Sequence, residues 1–173
     1  PTYRLTTRLG HTIRATGNHL FMTIKGWERL DELAAGVYIA LPRELSGIGD
    51  LIPAPYQHGG GLHVMDPGGK LDCHLDFARH PGAPFLERRL SLIVFVSALD
   101  GGKLQFWNDD AREVVWEYAP LPGTAILFEN SDLSYHAVTQ VRGRPRVTLA
   151  AYYCAPIRPG VVRKRALWVP VRS

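Results

Sequence analysis

Between Gly61 and Tyr153 the chain advances in short apolar runs, each closed by a turn signal, and that rhythm leaves few folds open to it. The runs are Gly61–Met65, Gly69–Phe77, Leu90–Val96, Lys103–Trp107, Glu113–Tyr118, Ala125–Phe128, His136–Val141 and Arg146–Tyr153. Between them stand Asp66-Pro67-Gly68-Gly69, Asp100-Gly101-Gly102, Asn108-Asp109-Asp110 and Pro120-Leu121-Pro122-Gly123. Short strands in series with no long helical period predict an all-β sandwich, jelly roll or barrel.

At 173 residues and 19.3 kDa the chain has room for one ordinary domain, or for a small domain with an appendage. The longest apolar run, Leu90–Leu99, is too short to cross a bilayer, and no charged-then-apolar leader opens the sequence, so the expectation is a soluble, cytoplasmic protein without a membrane partner. Cys73 and Cys154 are the only cysteines, and neither belongs to a Cys-x-x-Cys pair, which excludes a cysteine zinc site. Much of the net charge of +4 comes from Arg158, Arg163, Lys164, Arg165 and Arg172. No aromatic and basic residues interleave there, so the cluster reads as a solvated tail rather than a nucleic-acid surface.

The first part of the chain follows a different pattern. Tyr3–Thr6 and His11–Ala15 flank Leu9-Gly10 and predict a hairpin; Trp27–Leu33 predicts a helical turn and Val37–Leu41 a strand. Pro42 and Ser46-Gly47-Ile48-Gly49 mark a junction. The expected organisation is an N-terminal fragment over 1–46, a β domain over 47–157 and a basic tail over 158–173.

His74-Leu75-Asp76 lies on a predicted strand, where side chains two apart share a face, so an imidazole and a carboxylate point the same way. An open ferrous site needs two imidazoles and one carboxylate on one side of the ion, and His136 is the candidate third ligand. Ten residues after it, beyond a turn at Gly143, Arg146 can return toward the metal. Its planar fork suits the far carboxylate of a dicarboxylic acid, and the Thr148 hydroxyl can share that contact.

Several segments, taken in order, resemble the prolyl-hydroxylase-like branch of the iron(II)/2-oxoglutarate dioxygenases. They are Met65-Asp66-Pro67-Gly68-Gly69 ahead of His74-Leu75-Asp76, Arg88–Phe95, Gly101–Leu104, Pro122–Phe128, Ser134-Tyr135-His136 and Arg146-Val147-Thr148. The resemblance spans roughly Gly59 to Tyr153. It implies a double-stranded β-helix (jelly roll), Fe(II) held by His74, Asp76 and His136, and 2-oxoglutarate as cosubstrate on Arg146 and Thr148, with ascorbate as an accessory. The implied reaction consumes O2 and hydroxylates a small molecule or a protein side chain, prolyl among them, releasing succinate and CO2. Met65 stands where many relatives have a tyrosine that contacts the cosubstrate. The alternatives are a β-barrel module that keeps the fold without the reaction, and a basic interaction protein.

Thr6–Phe21, Gly26–Leu33 and Ile39–Arg43 resemble the interior of an intein, or Hint domain, around its Thr-x-x-His block, here Thr16 to His19. The resemblance implies a small β-rich Hint-like fragment in which Thr16 and His19 would polarise a scissile peptide. Splicing chemistry also needs a leading Cys or Ser and a closing His-Asn pair. No Cys precedes residue 73 and Asn130 is not directly preceded by a His, so the fragment reads as an inert remnant.

Overall fold

The computed structural model describes residues 2–6, 12–18, 20–23, 26–35, 45–97, 100–164 and 166–169. Contacts divide the chain into a unit over Pro1–Gly47 and a larger one over Ile48–Ser173. No helix among the described residues is long and apolar enough to cross a membrane.

In the first unit β1 (Thr2–Thr6) pairs antiparallel with β2 (Thr12–Thr16), as the alternating runs predict. β3 (Leu20–Thr23) pairs with β4 (Gly26–Arg29), and a 3-10 turn follows over Leu30–Glu32. The helical turn expected from Trp27 is therefore confined to those last three residues, because pairing with β3 holds 26–29 extended. At Gly17 a Cβ would meet the Asp31 carboxylate and the Tyr3 ring, so a larger residue would have to displace those side chains. The expected Leu9-Gly10 turn and the Val37–Leu41 strand lie outside the described residues.

The second unit opens with β5 (Ile52–Pro53), β6 (Gly61–Met65), β7 (Leu71–Leu75), β8 (Arg79–His80) and the long β9 (Ala83–Phe95). It continues with β10 (Asp100–Gly101), β11 (Leu104–Trp107), β12 (Val114–Tyr118), β13 (Ala125–Glu129), β14 (His136–Val138), β15 (Val141–Arg142), β16 (Arg146–Pro156) and β17 (Leu167–Trp168). One sheet runs β12-β11-β14-β7-β17; the other runs β13-β9-β16-β5, with β6 on β16 and β8 on β9. Two facing antiparallel sheets linked across the sandwich make an all-β jelly roll, a double-stranded β-helix. Phe95, Leu104 and Val138 bury their side chains between the sheets, packed against Met65, Leu71, Ile93, Phe106, Tyr118 and Ile126.

Among the bulged strands, two change which residues share a face beside the cavity. On β9, Tyr153 pairs with Leu90 but Cys154 pairs with Arg88, so Arg89 is the extra residue. On β7, His74 lies opposite His136 but Leu71 lies opposite Val138.

Part of the basic C-terminal segment, largely exposed as its charge suggests, is nevertheless docked on the barrel. β17 pairs with β7, and Arg163, its side chain only 8% exposed, binds the Glu87 carboxylate at 3.3 Å and Asp132 at 2.8 Å. Arg158 reaches Glu87 at 2.7 Å. Glu87 is itself 1% exposed, and a buried carboxylate must be paired, so it draws these arginines onto the barrel. Burial pushes the Asp132 carboxyl up, but Arg163 and the Lys164 backbone N–H outweigh it and hold it below its usual range. The stability this pair contributes is therefore present above the ordinary carboxylate pKa and is lost only as pH falls below it. Replacing Arg163 with Ala should cost about 3 kcal/mol, the low end for breaking a buried pair because Arg158 remains on Glu87. A thermal melt should show a midpoint lower by roughly 10 °C; an unchanged midpoint would mean that the pairing is energetically idle.

Candidate metal centre

His74 comes from β7, Asp76 from the residues just beyond it, and His136 from the start of β14, the neighbouring strand. The register places His74 and His136 directly opposite each other, with ring centroids 4.3 Å apart. Among the described residues these three side chains form the group able to hold a metal ion, their ligand atoms all within 4.8 Å of one another. His58 and His63 are not part of it: His58 is exposed, and His63 lines the cavity but has its Nε2 on the Gly59 carbonyl at 2.9 Å.

Both imidazoles are oriented in the same way. His74 Nδ1–H donates to the Asp72 carbonyl at 2.8 Å and His136 Nδ1–H to the Ser134 carbonyl at 2.9 Å. A carbonyl can only accept, so each Nδ1 carries a proton, and in the neutral ring each Nε2 keeps its lone pair. The two Nε2 atoms lie 3.7 and 3.9 Å from the same Asp76 oxygen, Oδ1. Three ligand atoms thus converge on one point with their tautomers already set.

The other oxygen of Asp76 is held from behind. Ser91 Oγ–H donates to Oδ2 at 3.3 Å, the buried Asn130 amide donates to Ser91 Oγ at 2.8 Å, and Arg88 Nη1 lies 3.5 Å from Oδ2. The Arg88 guanidinium rests 3.5 Å above the centre of the Tyr152 ring and donates to the His58 carbonyl. Burial pushes the Asp76 carboxyl up, but the hydrogen bond from His74 and the charges of His136, Arg88 and His74 outweigh it and hold it down at about 2. Burial, and then the neighbouring His74, lower His136 from its usual value and favour the neutral ring that a metal requires. The sequence reading gave Arg88, Ser91, Asn130 and Tyr152 no part in the metal site. Alternation would turn Arg88 and Ser91 to opposite faces, and the bulge at Arg89 brings them together.

The three groups lie on the wall of a cavity of about 360 Å³, within the size range of ligand sites. Phe128, Ile93, Met65 and Leu104 supply apolar lining, and rings pack in series from His136 through Phe128 and Phe106 to Trp116. Arg146 and Thr148 line the same cavity. They do not arrive on a hairpin return from β14, as the sequence spacing suggested; β16 belongs to the opposite sheet, and Arg146 reaches the cavity across the sandwich. Arg146 is 5% exposed, with Nε on the Gly102 carbonyl at 2.9 Å and Nη1 on Thr148 Oγ1 at 3.3 Å. Its Nη2 is buried without a hydrogen-bond partner, and burial lowers its pKa to about 10. An orphaned guanidinium nitrogen in a cavity is what an incoming carboxylate would satisfy, so the residues present fit a dicarboxylate beside the triad.

Cys73 turns away from His74 into a cluster with Leu75, Tyr135 and Ala137, and burial pushes its thiol up to about 11. In the first unit Thr16 is exposed on β2, while His19 lies outside the described residues.

The family model described as the 2OG-Fe(II) oxygenase superfamily matches residues 60–154. The chain belongs to that superfamily. The matched residues run from β6 through β16 and contain both the triad and Arg146. Among solved structures, the oxygenase is similar to the viral collagen prolyl hydroxylase of Paramecium Bursaria Chlorella virus-1 in its 2OG complex: TM-score 0.45, 19% identity, 54% of this chain and 56% of that one. Curated relatives are of another kind. The replicative DNA helicase DnaB of Rhodothermus marinus is 64% identical over 45 residues, 26% of this chain. The probable translation initiation factor IF-2 of Pyrococcus abyssi is 46% identical over 37 residues, 21% of this chain. The chain spans only 5% and 4% of those two proteins.

Proposed function

We propose that this oxygenase binds Fe(II) through His74, Asp76 and His136 and 2-oxoglutarate through Arg146 and Thr148, and hydroxylates a substrate C–H bond. The observation that carries the reading is the convergence of both histidine Nε2 atoms on Asp76 Oδ1, in the cavity where Arg146 Nη2 is unpartnered. When bound, iron(II) with O2 and 2-oxoglutarate supplies the oxidising power, with 2-oxoglutarate converted to succinate and CO2. The chain supplies position. Asp72 and Ser134 fix the imidazole tautomers, Ser91 and Arg88 aim the Asp76 carboxylate, and Arg146 presents a fixed cation to the far carboxylate. Phe128, Ile93 and Met65 exclude water from the reacting centre. The substrate we envisage is a small molecule or a protein side chain, prolyl among them, entering the same cavity beside the cosubstrate. Anaerobic addition of ferrous ion and 2-oxoglutarate should give the weak visible charge-transfer band of the ternary complex, and succinate should form on admitting O2, with and without ascorbate. No band and no succinate would favour a binding module that keeps the fold alone.

For the first unit we infer a Hint-like remnant. Proteins as unlike as a DNA helicase and an initiation factor share with this chain stretches of 37 to 72 residues, as hosts of one mobile element would. The sequence holds no His-Asn pair to close the reaction, so the fragment should be inert: after incubation with thiol or hydroxylamine, mass spectrometry should find one intact chain. Cleavage that disappears in His19→Ala would revive the splicing reading.

A further inference from the structure

Trp168 is 58% exposed, yet it stacks on the His74 ring at a centroid distance of 4.8 Å with the planes 27° apart. The β17–β7 register sets the two residues directly opposite, and the next residue donates its N–H to the Cys73 carbonyl at 2.8 Å. The indole is not there for core packing, since more than half of it meets solvent. What it covers is His74, left 8% exposed between Trp168 on one side and the His136 ring on the other. The hydrogen bond from Nδ1 to the Asp72 carbonyl fixes the tautomer but leaves the ring free to swing about that single contact, and a stacked neighbour removes this freedom. The segment that carries Trp168 is pinned at its base, where Arg163 joins Glu87, Asp132 and the Asn130 carbonyl.

We propose that the C-terminal segment from Arg158 to Val169 is a positioning element of the metal centre, with Trp168 as the residue that sets the ring plane of His74. The proposal rests on the reading of His74 as a ligand. Trp168 is not among the residues lining the cavity; it acts through His74, as outer residues do that orient a ligand and tune its affinity.

The test uses Co(II) alone as the probe, titrated into the metal-free full chain and followed by its visible d–d absorption. Trp168→Leu keeps apolar bulk and removes the stack, and should weaken Co(II) binding on the order of tenfold with an altered band shape. Trp168→Phe, which restores an aromatic face, should return affinity and band toward wild type. Thermal midpoints of the metal-free proteins should stay close together, since the position is largely exposed. Trp168→Gln, suited to an exposed strand, carries the same expectation if the Leu chain does not fold. Unchanged affinity and spectrum in the stack-free variant, or equal loss in the Phe variant, overturns the proposal while the metal centre stands. A wild-type chain with no d–d band overturns both.

Discussion

The His136→Ala variant should lose metal binding and turnover together. Removing it leaves His74 and Asp76 as a two-ligand remnant, and the loss must exceed the tenfold to hundredfold that follows from removing even an outer partner of a ligand. We expect ferrous affinity to fall by more than about a hundredfold and succinate formation to disappear. His74→Ala and Asp76→Ala should behave alike, because the three atoms converge on one point and no fourth His, Cys, Asp or Glu among the described residues joins the group. His63→Ala should not, as its Nε2 is committed to the Gly59 carbonyl. A His136→Ala protein with wild-type iron stoichiometry and succinate yield would show that the metal sits elsewhere.

Arg146→Ala should leave iron binding nearly untouched and strip the protein of cosubstrate affinity. The side chain is buried, two of its nitrogens are fixed by Gly102 and Thr148, and the third is left to meet a carboxylate. Losing a charge-assisted hydrogen bond costs about 1.5 to 3 kcal/mol, which corresponds to a rise in the apparent constant for 2-oxoglutarate of roughly tenfold to a hundredfold or more. Arg146→Lys should recover only part of this, since it restores charge without the fork. Arg142 and Arg144 are exposed, and their Ala variants should bind the cosubstrate normally. The reverse pattern would move the anchor off Arg146.

The two halves of the triad were not equally legible in the sequence. His74 and Asp76 could be placed on one strand face because the side-chain period of a strand is local. That His136 would be their neighbour rested on the order of several segments, since nothing near His136 encodes a partner more than sixty residues earlier. Arg146 was foreseen near the site for the wrong reason: the spacing suggested a hairpin, whereas the chain crosses to the opposite sheet. The residues that orient Asp76 were not foreseen. Arg88 and Ser91 are three apart, which puts them on opposite faces of a regular strand, and only the bulge at Arg89 reverses that.

By itself the sequence determined what depends on near neighbours: an all-β chain punctuated by turns, a change of character near Ser46, the imidazole and carboxylate on one face, and a cysteine facing away from them. Tertiary structure decided what depends on pairing between distant segments. It set His136 opposite His74, brought Arg146 across the sandwich with one nitrogen unpartnered, and folded the basic C-terminal segment onto buried Glu87 so that Trp168 lies on His74. The physical reason is the same in each case. Strand alternation and turn chemistry act over a few residues, whereas sheet order, bulges and the need to neutralise a buried charge are settled only when distant strands meet.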